Sequence, residues 1–271
     1  MEKGDAAAKA AIFFSCKAEK YQIKEMMLND HALVRIISGE SIVVHADSTY
    51  AFGAGDTMLI PRNQLGKVTK CPKDGAPYKS ISIFFTQHFL QRYYTQHKAT
   101  QVQQDMPAMK IYDKHPLLDS LFGSLLPYFT LSGELPAAIA AIKVEEAITV
   151  LRSIDKQADA ILGHFEDPGK IGLADFMEKN YTFNLPMEKF GYLTGRSITT
   201  FKRDFKKVFN TTPQKWLTGK RLELAWYQIL EKKRKPSDVY FEVGFENMSH
   251  FSFAFKKKYG LSPNQLIKAS I

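Results

Sequence analysis

The spacing of apolar and polar positions changes character along the chain. Between about residues 13 and 85, short runs rich in β-branched and aromatic residues alternate with turn formers. These runs are Ala32 to Ile37, Ser41 to His45, Thr49 to Phe52, Thr57 to Pro61 and, later, Lys79 to Phe85. Ser38-Gly39-Glu40 and Gly53-Ala54-Gly55-Asp56 punctuate them. Short strands at this spacing predict a small β-barrel. From about residue 116 to 165 the period becomes helical. Leu117, Leu118, Leu121, Phe122, Leu125 and Leu126 form one stripe, and Val144, Ala147, Ile148 and Leu151 form another. Glu166-Asp167-Pro168-Gly169 joins an acid pair to turn formers and reads as a hinge. The expected segments are therefore 1–115, 116–167 and 168–271.

The last segment contains an internal repeat at an offset of 50 residues. Phe201-x-x-x-Phe205-Lys206-Lys207-x-Phe209-x-x-Thr212-Pro213 returns as Phe251-x-x-x-Phe255-Lys256-Lys257-x-Tyr259-x-x-Ser262-Pro263. Each copy predicts a helix, over about 198–209 and 248–259. Ser197 and Asn247 stand as N-caps, and Asn210 and Gly260 stand where a left-handed residue ends a helix. Phe201, Phe205 and Val208 define the expected buried stripe of the first copy, and Phe251, Phe255 and Lys258-Tyr259 that of the second. A short amphipathic helix precedes each copy, at about Pro186 to Leu193 and Pro236 to Val243, joined through turns containing Thr194-Gly195 and Gly244-Phe245. Helix, short glycine-containing turn and capped helix make a helix-turn-helix. Between the two units, Pro213 to Lys235 predicts a long helix of roughly 20 residues and about 30 Å, closed by Lys232-Lys233-Arg234-Lys235. Adjacent major grooves on one face of DNA lie roughly 34 Å apart, so such a helix would suit two reading helices in neighbouring grooves.

Charge supports that reading. Residues 168–271 hold 19 Lys and Arg against 9 Asp and Glu, and residues 1–167 hold 18 against 19. The whole positive excess lies in one half, which predicts a polyanionic partner for that half alone. On the outer face of the first capped helix, Thr199, Lys202, Arg203 and Lys206 stand together, with Ser197 and Thr200 at its start. The same offsets in the second give Ser249, Ser252, Phe253 and Lys256, with Met248 at its start. Hydroxyls and cations of this kind contact base edges and phosphates of double-stranded DNA, and Arg203 is suited to a guanine.

Composition narrows the remaining classes. With 45% hydrophobic and 24% charged residues the chain is globular rather than disordered. Its apolar runs are too short to span a bilayer, and its start, polar and Ala-rich, lacks the layout of a signal peptide. Cys16 and Cys71 are the only cysteines, so neither a disulfide framework nor a multi-cysteine zinc site is expected. A cytoplasmic protein without a membrane partner is expected.

The second unit, from Asp238 through Val243-Gly244-Phe245-Glu246-Asn247-Met248-Ser249-His250-Phe251 to Leu261-Ser262-Pro263, resembles the signature of the AraC/XylS family of transcription regulators. The similarity extends over about Leu173 to Ile267. It implies seven helices, two helix-turn-helix units joined by a long helix, and action at promoters as an activator or repressor, with RNA polymerase as a partner. Three positions depart from the family pattern. Tyr240 stands where a small Ala is usual, Gly191 occupies the matching place in the first unit, and Phe253 replaces a frequent Arg. The first unit is accordingly expected to discriminate sequence more than the second.

Gly53-x-Gly55-Asp56-x-x-x-Ile60-Pro61 resembles the cupin-like sensor domain that many such regulators carry. In the family, helices like those at 116–165 carry dimerisation and pass on the state of the sensor, so a homodimer is expected; packing on the barrel explains their apolar faces equally well. The expected fold is α+β in two domains, a small cupin-like β-barrel with helices followed by an all-α double helix-turn-helix domain. Arg35, His45, Tyr50 and Arg62 lie on or beside the strands and are candidates to orient a small-molecule effector, a protein effector being the other option. Cupin enzymes hold a metal through a His-x-His pair, and here Asp47 stands two residues after His45. No metal site, catalytic residue or cofactor is therefore assigned. A cupin-like enzyme with an accessory nucleic-acid-binding domain is the alternative reading.

Overall fold

The computed structural model describes residues 12–45, 48–99, 109–131 and 135–269. The polar, Ala-rich start of the chain lies outside the described residues. Strands β1 (Ile12–Lys17), β2 (Tyr21–Met27), β3 (His31–Ser38), β4 (Glu40–His45), β5 (Ser48–Phe52), β6 (Thr57–Ile60), β7 (Leu65–Cys71) and β8 (Tyr78–Phe85) come first. Helix α1 (Gln87–Gln96) and the short β9 (Lys110–Tyr112) follow. All pairings are antiparallel and form two sheets, ordered β1-β8-β3-β6-β9 and β2-β7-β4-β5. Where a small barrel is expected, the described residues form these two sheets. Five strands match the runs expected from periodicity; β1, β2, β7 and β9 do not stand out in the pattern. In β7 two lysines and Gly66 dilute the β signal, and β9 has only three residues.

The first sheet is buried on both faces, which explains why β3 and β6 read as nearly continuous apolar runs rather than alternating ones. Ile36, Met58 and Ile60 face Val43, Phe52 and Val68 of the second sheet. Leu33, Leu59, Ile81, Ile83 and Phe85 face a helical layer. That layer is α2 (Pro116–Gly123), α3 (Leu126–Leu131), α4 (Ala137–Ile154) and α5 (Ala158–Leu162). Leu118, Leu121, Phe122 and Leu125 are buried in it, as are Val144, Ala147, Ile148 and Leu151. Leu117 departs from the expected stripe: it is 45% exposed, because helical geometry turns it away from the core that its neighbour Leu118 fills.

The remaining helices are α6 (Leu173–Asn180), α7 (Met187–Leu193), α8 (Ile198–Phe209), α9 (Pro213–Leu230), α10 (Pro236–Glu242), α11 (Met248–Tyr259) and α12 (Pro263–Ala269). The chain divides into two compact units, Met1–Glu166 and Asp167–Ile271. Among the described residues no helix is long and apolar enough to cross a membrane.

Two local expectations for the C-terminal half of the chain are corrected. Helix α9 stops at Leu230 and does not reach Lys235. Lys233 takes a left-handed conformation (φ 54°), and Lys235 is extended, as a residue preceding proline prefers. The basic run Lys232 to Lys235 thus lies in the turn between helices, and α9, with 18 residues, spans about 27 Å. Val208 is 51% exposed rather than part of the buried stripe. Phe209, whose ring lies 4.6 Å from that of Trp216 and 4.4 Å from that of Phe205, takes the place expected for Val208.

Candidate nucleic-acid interface

Helices α8 and α11 are built by the same local rules. The Ser197 hydroxyl accepts from the Thr200 main-chain N–H, and the Asn247 side-chain oxygen accepts from that of His250. Each side chain satisfies one of the N–H groups that a helix start leaves unpaired. At the other end Asn210 (φ 52°) and Gly260 (φ 78°) are left-handed, and their N–H groups return to the carbonyls of Lys206 and Lys256. Thr212 caps α9 through the Lys215 N–H, with Pro213 in its first turn.

The 50-residue register slips to 49 in the helices that precede them. Arg196 N–H donates to the Gly191 carbonyl at 2.9 Å, and Phe245 N–H donates to the Tyr240 carbonyl at 3.0 Å. Gly191 and Tyr240 are therefore the structural equivalents, and the second turn is one residue longer. Gly191 permits a close approach: a Cβ there would lie 3.0 Å from the Arg196 carbonyl oxygen and 3.5 Å from the Phe201 Cβ. In the second unit the half-buried Tyr240 packs its ring 6.4 Å from that of Phe251, so the α10–α11 pair is spaced by a side chain where the α7–α8 pair is not.

The burial pattern separates exposed residues of the two helices from half-buried ones. Thr199, Lys202, Arg203 and Lys206 are exposed on α8, and Ser249, Phe253 and Lys256 are exposed on α11. Phe253 is 69% exposed in the middle of its face. Ser197 and Thr200 form the cap, their hydroxyls 3.0 Å apart. Met248 is half-buried against the core of the second unit, and Ser252 is half-buried. Periodicity alone does not single out Lys207, His250 or Lys257, which are also exposed on these helices. Arg203 rests against the adjacent Asp204 at 3.2 Å, and Arg196 holds the same carboxylate at 3.2 Å. Asp204 is thus shared by two arginines, one on α8 and one in the turn before it.

Helix α9 contributes to the core of both units. Trp216 and Leu217 pack with Phe190, Phe201 and Phe205 of the first, whereas Leu222, Ala225 and Ile229 pack with Val239, Phe251 and Phe255 of the second. Burying each of these aromatic rings is worth roughly 1.5–3 kcal/mol. Between the two sets lies Arg221, only 7% exposed. It is one of the 19 Lys and Arg of residues 168–271, but its guanidinium is spent inside the domain. Lys258 is likewise committed, to Glu223 and to the Gly219 carbonyl of α9.

The four effector candidates of the N-terminal half do not converge. Arg35 lies on the β3 face turned to the helices and pairs with Asp119 of α2 and the Thr57 hydroxyl. Arg62 is buried, its Nη2 donating to the Glu166 carbonyl and its main-chain N–H to His31 Nδ1. Burial, with the nearby Arg62 and His164, lowers the His31 pKa to about 4, so its ring stays neutral at ordinary pH. His45 and Tyr50 do come together. With Gln64, whose Oε1 is 2.8 Å from His45 Nε2, they line an open hollow otherwise formed by Met26, Val43, Ile60, Leu65, Gly66 and Met109.

Comparison with known proteins places relatives on both units. Residues 193–269 match the family model of a helix-turn-helix domain, and residues 31–161 match that of an ExsA N-terminal regulatory domain. The chain is 25% identical over 234 residues to the HTH-type transcriptional regulator ExsA of Pseudomonas aeruginosa, covering 85% of this chain and 83% of that one. It is 27% identical over 157 residues to the virulence regulon transcriptional activator VirF of Yersinia enterocolitica, covering 57% of this chain and 58% of the relative. Among solved structures, a variant of apo ToxT from Vibrio cholerae aligns over 96% of this chain and 97% of its own, at 10% identity and a TM-score of 0.45. The curated relatives are transcription regulators.

Proposed function

We propose how this chain, which belongs to the AraC/XylS family of DNA-binding transcription regulators, engages its target: α8 and α11 enter adjacent major grooves of one duplex. The observation that carries the reading is the pair of helices with equivalent caps and stops, each with an exposed polar face, mounted on the two ends of α9. In α8, Arg203 donates to a guanine, Thr199 and Lys202 contact neighbouring base edges, and Lys206 contacts a phosphate. Ser197 and Thr200 hold the helix start against the backbone. In α11, Ser249, Ser252 and Phe253 face the bases, Lys256 a phosphate, and Met248 supports the helix from beneath. The first unit carries most of the sequence discrimination.

The N-terminal unit supplies regulation. A small effector or a protein one binds this unit, with His45 and Tyr50 as candidate contacts, and the unit pairs two chains into a homodimer. The regulator works in the cytoplasm at promoters, in contact with RNA polymerase, and the relative named as an activator favours activation. It acts by binding rather than by catalysis, without metal or cofactor.

A salt-series titration on a duplex selected by the protein from a randomised pool, against a scrambled duplex, tests the reading. Specific binding with a steep salt slope, weakened by Arg203→Ala on the selected duplex only, is expected. Equal affinity for both duplexes would remove base reading by α8.

A further inference from the structure

We infer that Arg221 fixes the spacing at which the two reading helices meet DNA. The inference rests on the reading that α8 and α11 engage one duplex, and it adds a positioning residue that touches no base. Arg221 stands on α9 between Leu217, in the core of the first unit, and Leu222, in the core of the second. Its Nε donates to the Tyr181 carbonyl and its Nη2 to the Phe183 carbonyl, each at 2.8 Å. Both acceptors lie in the loop that follows α6 in the first unit. Its Nη1 donates to the Gly244 carbonyl at 3.0 Å, in the turn of the second unit, and approaches Asn184 Oδ1 at 3.4 Å. Asn184 in turn donates to Glu246 at 2.6 Å, just beyond the same turn. One planar cation thus ties three segments: the first unit's loop, the connecting helix and the second unit's turn.

The backbone is shaped to let this happen. Gly244 has a φ of +102°, and a Cβ there would lie 2.8 Å from Arg221 Nε and 2.7 Å from the Thr182 carbonyl oxygen. A buried guanidinium is tolerated only when its N–H groups are spent, and its fixed fork of donors serves several carbonyls at once where a lysine ammonium cannot. Each helix-turn-helix unit packs on its own stretch of α9, and the Arg221 bonds add a direct tie between the loop of the first and the turn of the second. Moving one recognition subsite by one base pair displaces it by about 3.4 Å and rotates it by about 35°, so stiffness at this joint becomes selectivity for spacing.

The test uses the full-length protein and the duplex it selects from a randomised pool, remade with one base pair inserted or removed between the two subsites. The wild-type protein is expected to lose roughly tenfold or more in affinity on either change, of the order of a mismatched base pair or greater. Arg221→Lys is expected to shrink that penalty to about threefold or less, while binding duplexes that carry one subsite within about twofold of wild type. Asn184→Ala, which removes both the Arg221 contact and the bond to Glu246 while leaving the other Arg221 bonds, is expected to give an intermediate penalty. An Arg221→Lys protein that binds single subsites normally and keeps the full spacing penalty overturns the inference. Should Arg221→Lys fail on single subsites through misfolding, a full penalty in Asn184→Ala overturns it instead. Failure of the wild-type protein to select any duplex defeats the two-groove reading, and this inference with it.

Discussion

Helices α8 and α11 have the same length, the same kind of capped start and the same left-handed stop, and they differ most at the centre of the outer face. In α8 that place holds Arg203, a fork of donors backed by Asp204. In α11 it holds Phe253, an exposed ring with no donor. The shared features are those that make a stable helix on an aromatic core; the differing feature is the one DNA would meet. The two copies thus share their scaffold and differ in the chemistry of the outer face. The turns diverge too. The first places its left-handed glycine two residues before the cap, and the second places it three before, directly against Arg221.

The turns give the largest expected effect. Gly244→Ala adds a Cβ 2.7 Å from the Thr182 carbonyl oxygen, at a backbone conformation that disfavours side chains. A loss of about 3 kcal/mol is expected from strain and overpacking together. Gly260→Ala is also left-handed, but no atom lies within 4 Å of its would-be Cβ, so only the conformational cost of about 1 kcal/mol applies. Urea melts of both variants followed by helical circular dichroism check the contrast. Equal losses would mean that the second turn is not the tight joint its geometry describes.

The reading residues come next. Loss of a bidentate arginine–guanine pair costs about 1–3 kcal/mol, so Arg203→Ala should weaken binding to a selected duplex roughly 5- to 150-fold, with much less effect on a scrambled one. Phe253 offers apolar contact, and the matching group on DNA is the thymine methyl. Burying one methyl-sized group contributes about 0.8 kcal/mol. Replacing thymine by uracil in the subsite of α11 should therefore lower affinity about fourfold in the wild-type protein and leave Phe253→Ala unchanged. A uracil effect confined to the subsite of α8 would reverse the assignment of the two helices.

The sequence showed these features unevenly, for physical reasons. Caps, stops and the aromatic stripe obey local rules repeated at a fixed offset, so Ser197, Asn247, Asn210 and Gly260 could be read directly. The strands at 32–37, 41–45 and 79–85 were legible from composition, whereas β7 was diluted by its lysines. Arg221 was not legible: one arginine in a basic segment looks like surface charge, and its acceptors lie 37–40 residues upstream and 23 residues downstream. The partners of Arg35 and Arg62 were hidden for a related reason: the side of the sheet that Arg35 faces depends on strand register, and Arg62 donates to the Glu166 carbonyl, 104 residues away.

The smallest expected effect lies in the two stops. Asn210 and Gly260 occupy the same left-handed position, and their N–H groups make the same return bond, to Lys206 and Lys256. Glycine has no Cβ to penalise in this region, whereas asparagine tolerates it at a modest cost. Asn210→Gly should therefore stabilise the chain by roughly 0.5 kcal/mol, and Gly260→Asn should destabilise it by a similar amount. The double exchange should return close to wild type, because the two sites cap different helices on separate cores and distant sites combine additively. A double variant well outside the sum of the singles, read from the same urea melts, would show that the ends of α8 and α11 are coupled through α9. The second unit would then no longer be an independent copy of the first, and the difference between Arg203 and Phe253 could not be assigned to the reading faces alone.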